Sequence, residues 1–410
     1  MLKTIAAISA LLLATGFLYA GNGLQGTLLS VRGDLEAFST TLIGLLMSAY
    51  FAGFILGCRM VPAIIGSVGH IRTFVALASI ASASALAHAL IIDPFIWASL
   101  RVVTGFAFSG LAMVLESWIN ERATNKNRGQ MLSIYRIVDL GSVTLGNALL
   151  GFASPETFHL FALVSILISL ALVPLALTRS EAPAPLHSAK LDLTRLYAVS
   201  PVGAAGALTT GLANAAFWGL APVFVQRSGY EPAIVGAFMS VSIVGAALFQ
   251  FPLGWVSDRI DRRKVILFTA TLGILSALSL AFFSARSVNF LFGAGFLFGG
   301  LIIPTFGLCA AHANDHAARG DEVATSGGLL LLHGVGAVVG AFAGALVMSF
   351  GKPAWLFVYI ASVYGTFAAF VLVRMGARAP VPGEAKSSFV PVPKSPSTDF
   401  SEDGQVPEPA

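Results

Sequence analysis

Charged side chains are scarce in this chain. Only 11% of its 410 residues are Asp, Glu, Lys or Arg, whereas 56% are hydrophobic, and the mean hydropathy is +0.83. A soluble globular protein of this length needs more polar residues to cover its surface. The composition therefore excludes a soluble protein and predicts an integral membrane protein.

Cysteine is also rare, with two residues, Cys58 and Cys309, at the ends of apolar runs. Two thiols so placed cannot build a disulfide framework or a cysteine-rich metal site, so we expect both to pack as small buried side chains. The chain also lacks a Gly-x-x-x-x-Gly-Lys-Ser/Thr loop for nucleotide phosphates. No nucleophile with a base and no metal cluster lies within the apolar runs. We therefore expect no enzymatic activity, no cofactor and no bound metal.

Long apolar runs dominate the rest of the sequence. A membrane-spanning helix needs about 20 predominantly apolar residues. Twelve stretches meet that requirement: 4–29, 41–62, 72–92, 95–118, 130–153, 157–178, 199–224, 233–254, 264–284, 288–309, 323–348 and 354–375. The sequence predicts an all-α integral membrane protein with twelve transmembrane helices.

Basic residues are unevenly distributed between the two sets of loops. If the N-terminus is cytoplasmic, eighteen of the 24 Lys and Arg residues fall on the cytoplasmic side and four fall on the other side. Loops rich in Lys and Arg stay in the cytoplasm. We therefore predict a multi-pass protein of a bacterial cytoplasmic membrane with both termini inside the cell. Because no basic stripe is interleaved with aromatic residues, we expect no nucleic acid partner.

Polar segments divide the chain into four parts. Residues 179–198 contain prolines and charges between the sixth and seventh spans, and they predict a cytoplasmic linker between an N-terminal six-helix bundle at 1–178 and a C-terminal one at 199–375. Residues 376–410 are rich in Pro, Ser and charge, which predicts a disordered cytoplasmic tail.

The two halves share a weak repeat with an offset of 192 residues. Gly44, Met47, Ser48 and Gly53 recur as Gly236, Met239, Ser240 and Gly245. Asn22 recurs in the same way as Asn214. Matched spacing across a span predicts two related six-helix bundles, which is one known construction of an alternating-access carrier.

The segment 254–264 places six charged residues between two apolar runs. It resembles the signature between spans eight and nine of the major facilitator superfamily, with Asp261 where a glycine is usual. Arg101, Gly105 and Gly110 are similar to the fourth-span signature of that family. Gly21 to Leu24 and Glu116 to Trp118 resemble a narrower, YcaD-like bacterial branch. The resemblance covers residues 1–375 and implies two six-helix bundles related by a pseudo-twofold axis.

The charged segment suggests a cytoplasmic gate between the two bundles. The candidate gate residues are Gly254, Asp258, Arg259, Arg262 and Arg263. Charges at this interface are solvated cheaply when a gate opens and can pair when it closes. The alternative is that the cluster only fixes the topology, but Asp258 contributes nothing to the retention of positive charge inside.

Ionisable residues within the spans are candidates for proton coupling, because a charge at the bilayer centre is costly and usually functional. We single out Glu116, Asp139 and His333. Arg136 lies three positions before Asp139 on the same helical face, so an internal ion pair is an equal alternative. The alternative for Glu116 is that its side chain extends to the membrane boundary. The alternative for His333 is that it packs in the interior without a role in coupling.

A second set of residues predicts a substrate cavity. Asn22 and Asn214 occupy equivalent places in the two halves, with Gln25, Phe217 and Trp218 within one turn of them. The family resemblance puts Arg101 on a cavity helix, where it can attract an anionic group. The alternative for the two amides is hydrogen bonding between helices.

His312 and His316 have the spacing of a metal pair, but without a third ligand we interpret them as a solvated cap at a helix end. The sequence as a whole predicts a secondary carrier of a small organic solute, coupled to protons, in a lipid bilayer and working as a monomer. The alternative is a non-transporting membrane sensor or scaffold, which would need a larger folded output domain than residues 376–410.

Overall fold

Twelve long helices run through the computed structural model, which describes residues 2–123, 128–177, 193–318, 321–377 and the separate positions 379, 381, 382, 386 and 389. We number the helices in chain order: α1 Leu2–Leu35, α2 Thr40–Val68, α3 His70–Leu90, α4 Pro94–Arg122, α5 Arg128–Ala148, α6 His159–Ala176, α7 Pro201–Arg227, α8 Pro232–Arg259, α9 Arg262–Phe283, α10 Val288–Asn314, α11 Glu322–Ser349 and α12 Trp355–Ala377. Each coincides with a predicted span to within six residues at either end.

Ten of these helices are long and apolar enough to cross a membrane, among the residues that the structure describes. The two others are α1 and α5, which carry several of the polar candidates, including Asn22, Arg136 and Asp139. The fold is all-α and membrane-spanning, as the sequence predicts. That all twelve helices cross the bilayer stays a prediction.

Local sequence explains where several helices begin. The carboxylate of Asp93 accepts hydrogen bonds from the backbone of Phe95 and Ile96 at 2.9 Å, and Pro94 occupies the first helical position. Ser200 and Pro201 repeat this arrangement at the start of α7. A side-chain acceptor satisfies free N–H groups of the first turn, and proline there has no N–H to satisfy.

Two helices are interrupted. In α10, the α-helical segments Val288–Ile302 and Thr305–Asn314 are separated at Ile303 and Pro304, because proline lacks the N–H that continues the helix. In α6, the interruption is at Ala171. A short helix, Leu193–Val199, precedes α7; it begins in the predicted linker and ends one residue beyond it. The remainder of that linker up to residue 192 lies outside the described residues.

The helices form two bundles with the same internal contacts. In the first bundle, α1 packs on α5, α2 on α4, and α3 on α6; in the second, α7 packs on α11, α8 on α10, and α9 on α12. Each contact recurs six helices later. The predicted pseudo-twofold relation between two six-helix bundles is therefore confirmed. The exact residue boundaries of the four predicted parts of the chain stay a prediction.

The bundles meet along two equivalent interfaces, α2 with α11 and α5 with α8. The Ser48 hydroxyl donates to the carbonyl of Val338 at 2.6 Å, and its repeat counterpart Ser240 donates to the carbonyl of Thr144 at 2.8 Å. Gly44 and its counterpart Gly236 lie so close to the opposite helix that a Cβ at either would overlap it. Small residues permit this approach of two backbones.

Two described residues of the predicted disordered tail contact the second bundle. The Lys386 ammonium donates to the carbonyl of Ile260 at 2.6 Å. The Phe389 backbone N–H lies 3.1 and 3.2 Å from the carboxylate oxygens of Asp258, and its ring lies against Gly254 and Gly307. Phe389 can approach this closely because two glycines leave room for its aromatic ring.

Candidate functional site

A cavity of about 950 Å³ lies between the two bundles. Its wall includes Tyr50 and Arg101 of the first bundle and Asn214 and Trp218 of the second. The cavity extends from the middle of the helices toward the end of the molecule that carries the loop between α8 and α9, where the exposed Arg59 lies at its rim. We call this end the signature end.

Four of the six predicted substrate-cavity residues line this cavity: Asn22, Arg101, Asn214 and Trp218. Phe217 does not. It is buried within the second bundle, with its ring centroid 4.9 Å from that of Phe298. Because neighbouring residues on a helix point about 100° apart, Trp218 faces the cavity while Phe217 faces the bundle interior.

Gln25 is also absent from the lining. It is fully buried, and both polar atoms of its side chain lack a hydrogen-bond partner among the described residues. On α1 the lining residues Tyr19, Gly23 and Gly26 share one face of the helix. Gln25 falls outside that face, so it does not meet a ligand in this conformation.

Arg101 is the most deeply buried cation of the cavity, with 2% of its surface exposed. Its guanidinium stacks over the ring of Tyr50 at 4.2 Å, and Nη2 lies 3.6 Å from the sulfur of Met47. The Tyr50 hydroxyl shares a hydrogen bond with the side chain of Asn22. Three helices of the first bundle therefore position this group.

Asp139 lines the cavity and pairs with Arg136 at 2.8 Å. Glu116 does not line it: its side chain is buried within the first bundle, 3.5 Å from the Tyr135 hydroxyl. The hydroxyls of Tyr135 and Tyr19 are 3.4 Å apart, and Tyr19 lies within electrostatic range of Asp139. Two tyrosines thus lie between the two carboxyl groups, and the burial of Glu116 contradicts the alternative that its side chain extends to the membrane boundary.

The histidines occupy different places. His333 lines the cavity in the second bundle, with Nδ1 3.2 Å from the Thr210 hydroxyl and its ring beside Phe306. His312 is buried within α10, so the interpretation as a solvated cap is wrong for this residue. The ring of His316 packs on that of His312 at 4.6 Å. Among the described residues, no group of three side chains is placed to hold a metal ion.

The bundles are joined at the end opposite the signature end. Arg227, the last residue of α7, donates from Nε to Asp34 at 2.7 Å and from Nη1 to Thr40 at 2.9 Å. Asp34 and Thr40 belong to the first bundle. We call these three residues the latch, and we call this end the latch end.

The signature cluster is organised around Arg262, whose side chain is 1% exposed. Arg262 donates to Asp258 at 2.8 Å, to Ser257 at 2.9 Å and to Asp315 at 2.6 Å. All four residues belong to the second bundle. The predicted gate residues thus form a network inside one bundle, and no ion pair between the described residues links them to the other bundle in this conformation.

The rest of the signature cluster fixes the turn into α9. Asp261 accepts from the backbone of Arg263 at 3.0 Å and pairs with its guanidinium at 2.8 Å. Burial raises the pKa of Asp261, but the hydrogen bonds from Arg263 outweigh burial and hold the pKa below its ordinary value. The capping role of Asp261 explains why an aspartate stands here in place of the usual glycine. Nearby, Arg259 stacks over Trp255 at 3.6 Å.

Sequence reasoning missed several residues. The latch pair Asp34 and Arg227 and the buried acid Asp315 were not singled out, and neither was the tyrosine pair. One signal was available for the latch. Arg227 is one of only four basic residues predicted to lie on the side opposite the linker, and a basic residue on that side indicates that it has a partner there.

Comparisons with known proteins agree with this architecture. The family model described as Major Facilitator Superfamily matches residues 11–321 and 203–404. The chain is 25% identical over 339 residues to the uncharacterized transporter YcaD of Salmonella typhi and to that of Salmonella newport, covering 82% of this chain and 87% of each relative. These relatives agree with the YcaD-like resemblance of the sequence.

Solved structures share the fold. The nucleoside transporter NupG superposes with a TM-score of 0.75 at 14% identity, covering 89% of this chain and 98% of NupG. A bacterial homolog of the human lysosomal transporter Spinster, in an inward-facing and occupied conformation, gives a TM-score of 0.74 at 16% identity, covering 93% and 98%. With the family match, the two bundles and the central cavity, the chain is a multi-pass membrane transporter that belongs to the major facilitator superfamily.

Proposed function

We propose that this protein is a secondary active transporter that moves a small organic solute across the cytoplasmic membrane by alternating access, coupled to protons. The observation that carries the proposal is the cavity between the bundles, which reaches toward the signature end while the latch and the close helix contacts join the bundles at the other end. A carrier held in one of its two access states has this asymmetry.

The distribution of basic residues supports one membrane orientation. The signature end carries the loops that are rich in Lys and Arg, which supports a cytoplasmic position for this end and for both termini. The cavity would then face the cytoplasm. The similarity to an inward-facing solved structure supports the same assignment.

The substrate would bind between Asn22 and Arg101 on one wall and Asn214 and Trp218 on the other. Both bundles contribute, so a bound molecule contacts two bodies that move relative to each other. Binding can therefore favour one arrangement of the bundles over the other, which is the requirement for a ligand to shift a conformational equilibrium. Glycine at position 26 leaves the wall between these groups open.

Proton coupling would use the Asp139 and Glu116 carboxyl groups with the tyrosine pair between them. Asp139 faces the cavity, whereas Glu116 is enclosed. A proton taken up at Asp139 from the cavity can pass through hydroxyl groups that both donate and accept hydrogen bonds. His333, in the opposite wall, is the second candidate for a titrating group.

The signature cluster would act as the cytoplasmic gate. Its Asp258 is the exposed end of the network, with 29% of its side chain accessible, whereas Arg262 and Asp315 are enclosed. Asp258 is therefore free to exchange its partners when the first bundle closes against this end. Arg262 holds the carboxylate in place by the ion pair across the turn between α8 and α9.

Transport by purified protein in liposomes tests the proposal. A pH gradient, acidic on one side, is imposed across liposomes that contain a pH indicator, and organic solutes are added one at a time. We expect at least one solute to cause a proton flux that requires the protein. Liposomes that contain the Asp139→Asn variant serve as the control for leakage. Solute movement without any proton flux would reject coupling, and no movement of any solute would favour the sensor alternative.

A further inference from the structure

Arg101 is a buried charge without an ionic partner in the part of the chain that the structure describes. Its Nε and Nη1 atoms have no hydrogen-bond partner among the described residues. Among the described residues, no ion pair joins its guanidinium to a carboxylate, and the guanidinium contacts the ring of Tyr50 and the sulfur of Met47. A guanidinium removed from water loses several kcal/mol of solvation free energy, and a stacked tyrosine returns only a part of it. A group in this condition is expected to meet a partner that the protein itself does not supply.

The geometry of the guanidinium leaves it ready for such a partner. Its N–H groups all lie in one plane. The guanidinium carbon lies 4.2 Å from the centre of the Tyr50 ring, and Nε and Nη1 remain available because they have no hydrogen-bond partner among the described residues. A planar fork of donors matches a carboxylate or a phosphate, which accept two parallel hydrogen bonds.

The charge balance of the cavity also indicates a negatively charged ligand. The charged residues that line it are Arg59, Arg101, Arg136 and Asp139, three cations and one anion, which gives a formal charge of +2. Asp139 is already paired with Arg136. No carboxylate in the described lining is therefore left to attract a cation, whereas a low-dielectric cleft with two uncompensated arginines concentrates anions.

The opposite wall indicates what the rest of the ligand is like. It presents the indole of Trp218 and the ring of Phe306, with Phe51 and Phe54 on the near side. The side-chain oxygen of Asn214 is buried and has no partner among the described residues. The wall thus accommodates an apolar body and accepts one hydrogen bond from it.

We propose that Arg101 is the anion subsite of the substrate cavity and that the substrate is an organic anion with an apolar, aromatic-compatible body. The inference rests on the proposed function only in taking this cavity as the substrate site. Arg101 binds the anionic group at the edge of its guanidinium, Tyr50 and Met47 hold the guanidinium, and Asn214 and Trp218 contact the body.

Binding to detergent-purified protein tests the charge preference without any transport. Each probe is a set of three molecules with one body and different charge: 4-phenylbutyrate, its neutral amide and 4-phenylbutylamine, with matching sets built on indole and adamantane. A ligand that binds the folded protein raises its melting temperature. We expect an acid to stabilise the protein at millimolar concentration, and its amide and amine to stabilise it less.

The variants separate binding from folding. Arg101→Gln should weaken binding of the acid by about tenfold or more, the effect of losing a charged hydrogen bond, and should remove the preference for acid over amide. Its melting temperature without ligand should not fall, because a buried unpaired charge is removed. Arg101→Lys should keep the charge preference with reduced affinity. Arg59→Gln, the matched change at the exposed rim, should alter binding less than Arg101→Gln.

Several outcomes would overturn the inference. They are an amine that stabilises the protein as well as its acid, a failure of every acid in the panel, or a large fall in melting temperature of Arg101→Gln without ligand, which would make Arg101 a structural residue. Failure of the proposed function looks different: the acids would bind with the expected dependence on Arg101, but no solute would move in liposomes.

Discussion

Arg262 and Asp315 form the most enclosed ion pair of the signature cluster, each with 1% of its side chain exposed. A buried ion pair contributes little beyond two apolar residues, but removal of one partner leaves a charge without compensation. We therefore expect Asp315→Asn to lower the free energy of unfolding by about 3 kcal/mol, measured as a lower melting temperature in detergent.

Asp258→Asn is the matched control, because it leaves the pair between Arg262 and Asp315 intact. Asp258 is partly exposed, so this variant should fold with a smaller loss of stability and should slow transport. Equal stability of the Asp315→Asn variant and the unaltered protein would contradict the enclosed network. Full transport by the Asp258→Asn variant would mean that the signature cluster only fixes the membrane topology.

The carboxyl groups Asp139 and Glu116 carry a second prediction at this scale. Asp139→Asn and Glu116→Gln keep the shape of each side chain but cannot release a proton. We expect substrate exchange to persist in both variants and accumulation driven by a pH gradient to be lost. The measurement compares exchange with accumulation in the same liposomes. Unaltered accumulation in both variants would remove these residues from the mechanism.

Individual side chains show where sequence reasoning succeeds and where it fails. Arg101 and Asp139 could be chosen because a charge inside an apolar run is unusual wherever the fold places it. Asp315 could not, because it is 53 residues from Arg262 and follows the last residue of α10, whereas Arg262 begins α9. Gln25 and Phe217 were predicted to line the cavity because each lies on a helix that does line it. Which face of a helix meets the cavity depends on packing that the local sequence does not specify.

At the scale of elements, the offset of 192 residues predicts individual contacts as well as two related bundles. Ser48 and Ser240 make the same hydrogen bond across the two interfaces between bundles. Gly53 and Gly245 approach the same kind of neighbour within their bundles, the backbones of α4 and α10. Contacts thus repeat where the residues repeat. The helix interruption at Pro304 has no counterpart in α4, so it was visible only as a local proline.

This repeat leads to a prediction that distinguishes glycine contacts within one bundle from glycine contacts between the two bundles. Gly53→Ala places a Cβ against the backbone of Val102 inside one bundle, so it should destabilise the fold by about 1–3 kcal/mol. Gly44→Ala places a Cβ against Ala341 and Ala345 of the other bundle. Only the closed state of the latch end contains that contact, so this variant should fold and shift the molecule toward opening there.

Gly236→Ala and Gly245→Ala repeat the experiment in the second half and should behave like Gly44→Ala and Gly53→Ala respectively. Gly365→Ala is the control, since no atom lies near the position that its Cβ would take. Melting temperature reports the fold, and the distance between spin labels reports the opening. A loss of stability shared by Gly44→Ala and Gly53→Ala would argue against two bundles that separate.

At the scale of the whole molecule, the latch and the signature end should open in alternation. Spin labels at Glu156 and Glu231 report the separation of the bundles at the latch end, and labels at Ser67 and Lys264 report it at the signature end; all four residues are exposed. We expect the two distances to change in opposite directions when ligand is added. The measurement requires a background in which Cys58 and Cys309 are replaced.

Arg227→Gln in the same labelled proteins tests the latch. A partly exposed ion pair contributes about 0–1 kcal/mol, so the fraction of molecules open at the latch end should rise by up to about fivefold. The outcome that counts against alternating access is a pair of distances that increase or decrease together.

Composition and repeat were enough to predict two bundles of membrane helices, because apolar length and charge sidedness are direct consequences of the bilayer. They were not enough to predict which end is open. The two access states of a carrier differ by only a few kcal/mol, a difference spread over contacts such as Arg227 with Asp34 that are far apart along the chain.

The contact of Phe389 with Asp258 has a practical consequence for anyone who expresses this protein. An affinity tag or fluorescent fusion attached after Ala410 is tethered only about twenty residues from the Asp258 carboxylate, and a chain shortened to Ala377 lacks the contact of Phe389 with that carboxylate. Transport measured with either altered C-terminus reports the disturbance of this contact as well as the carrier, so a purification handle belongs at the N-terminus, and the unaltered C-terminus is the appropriate reference.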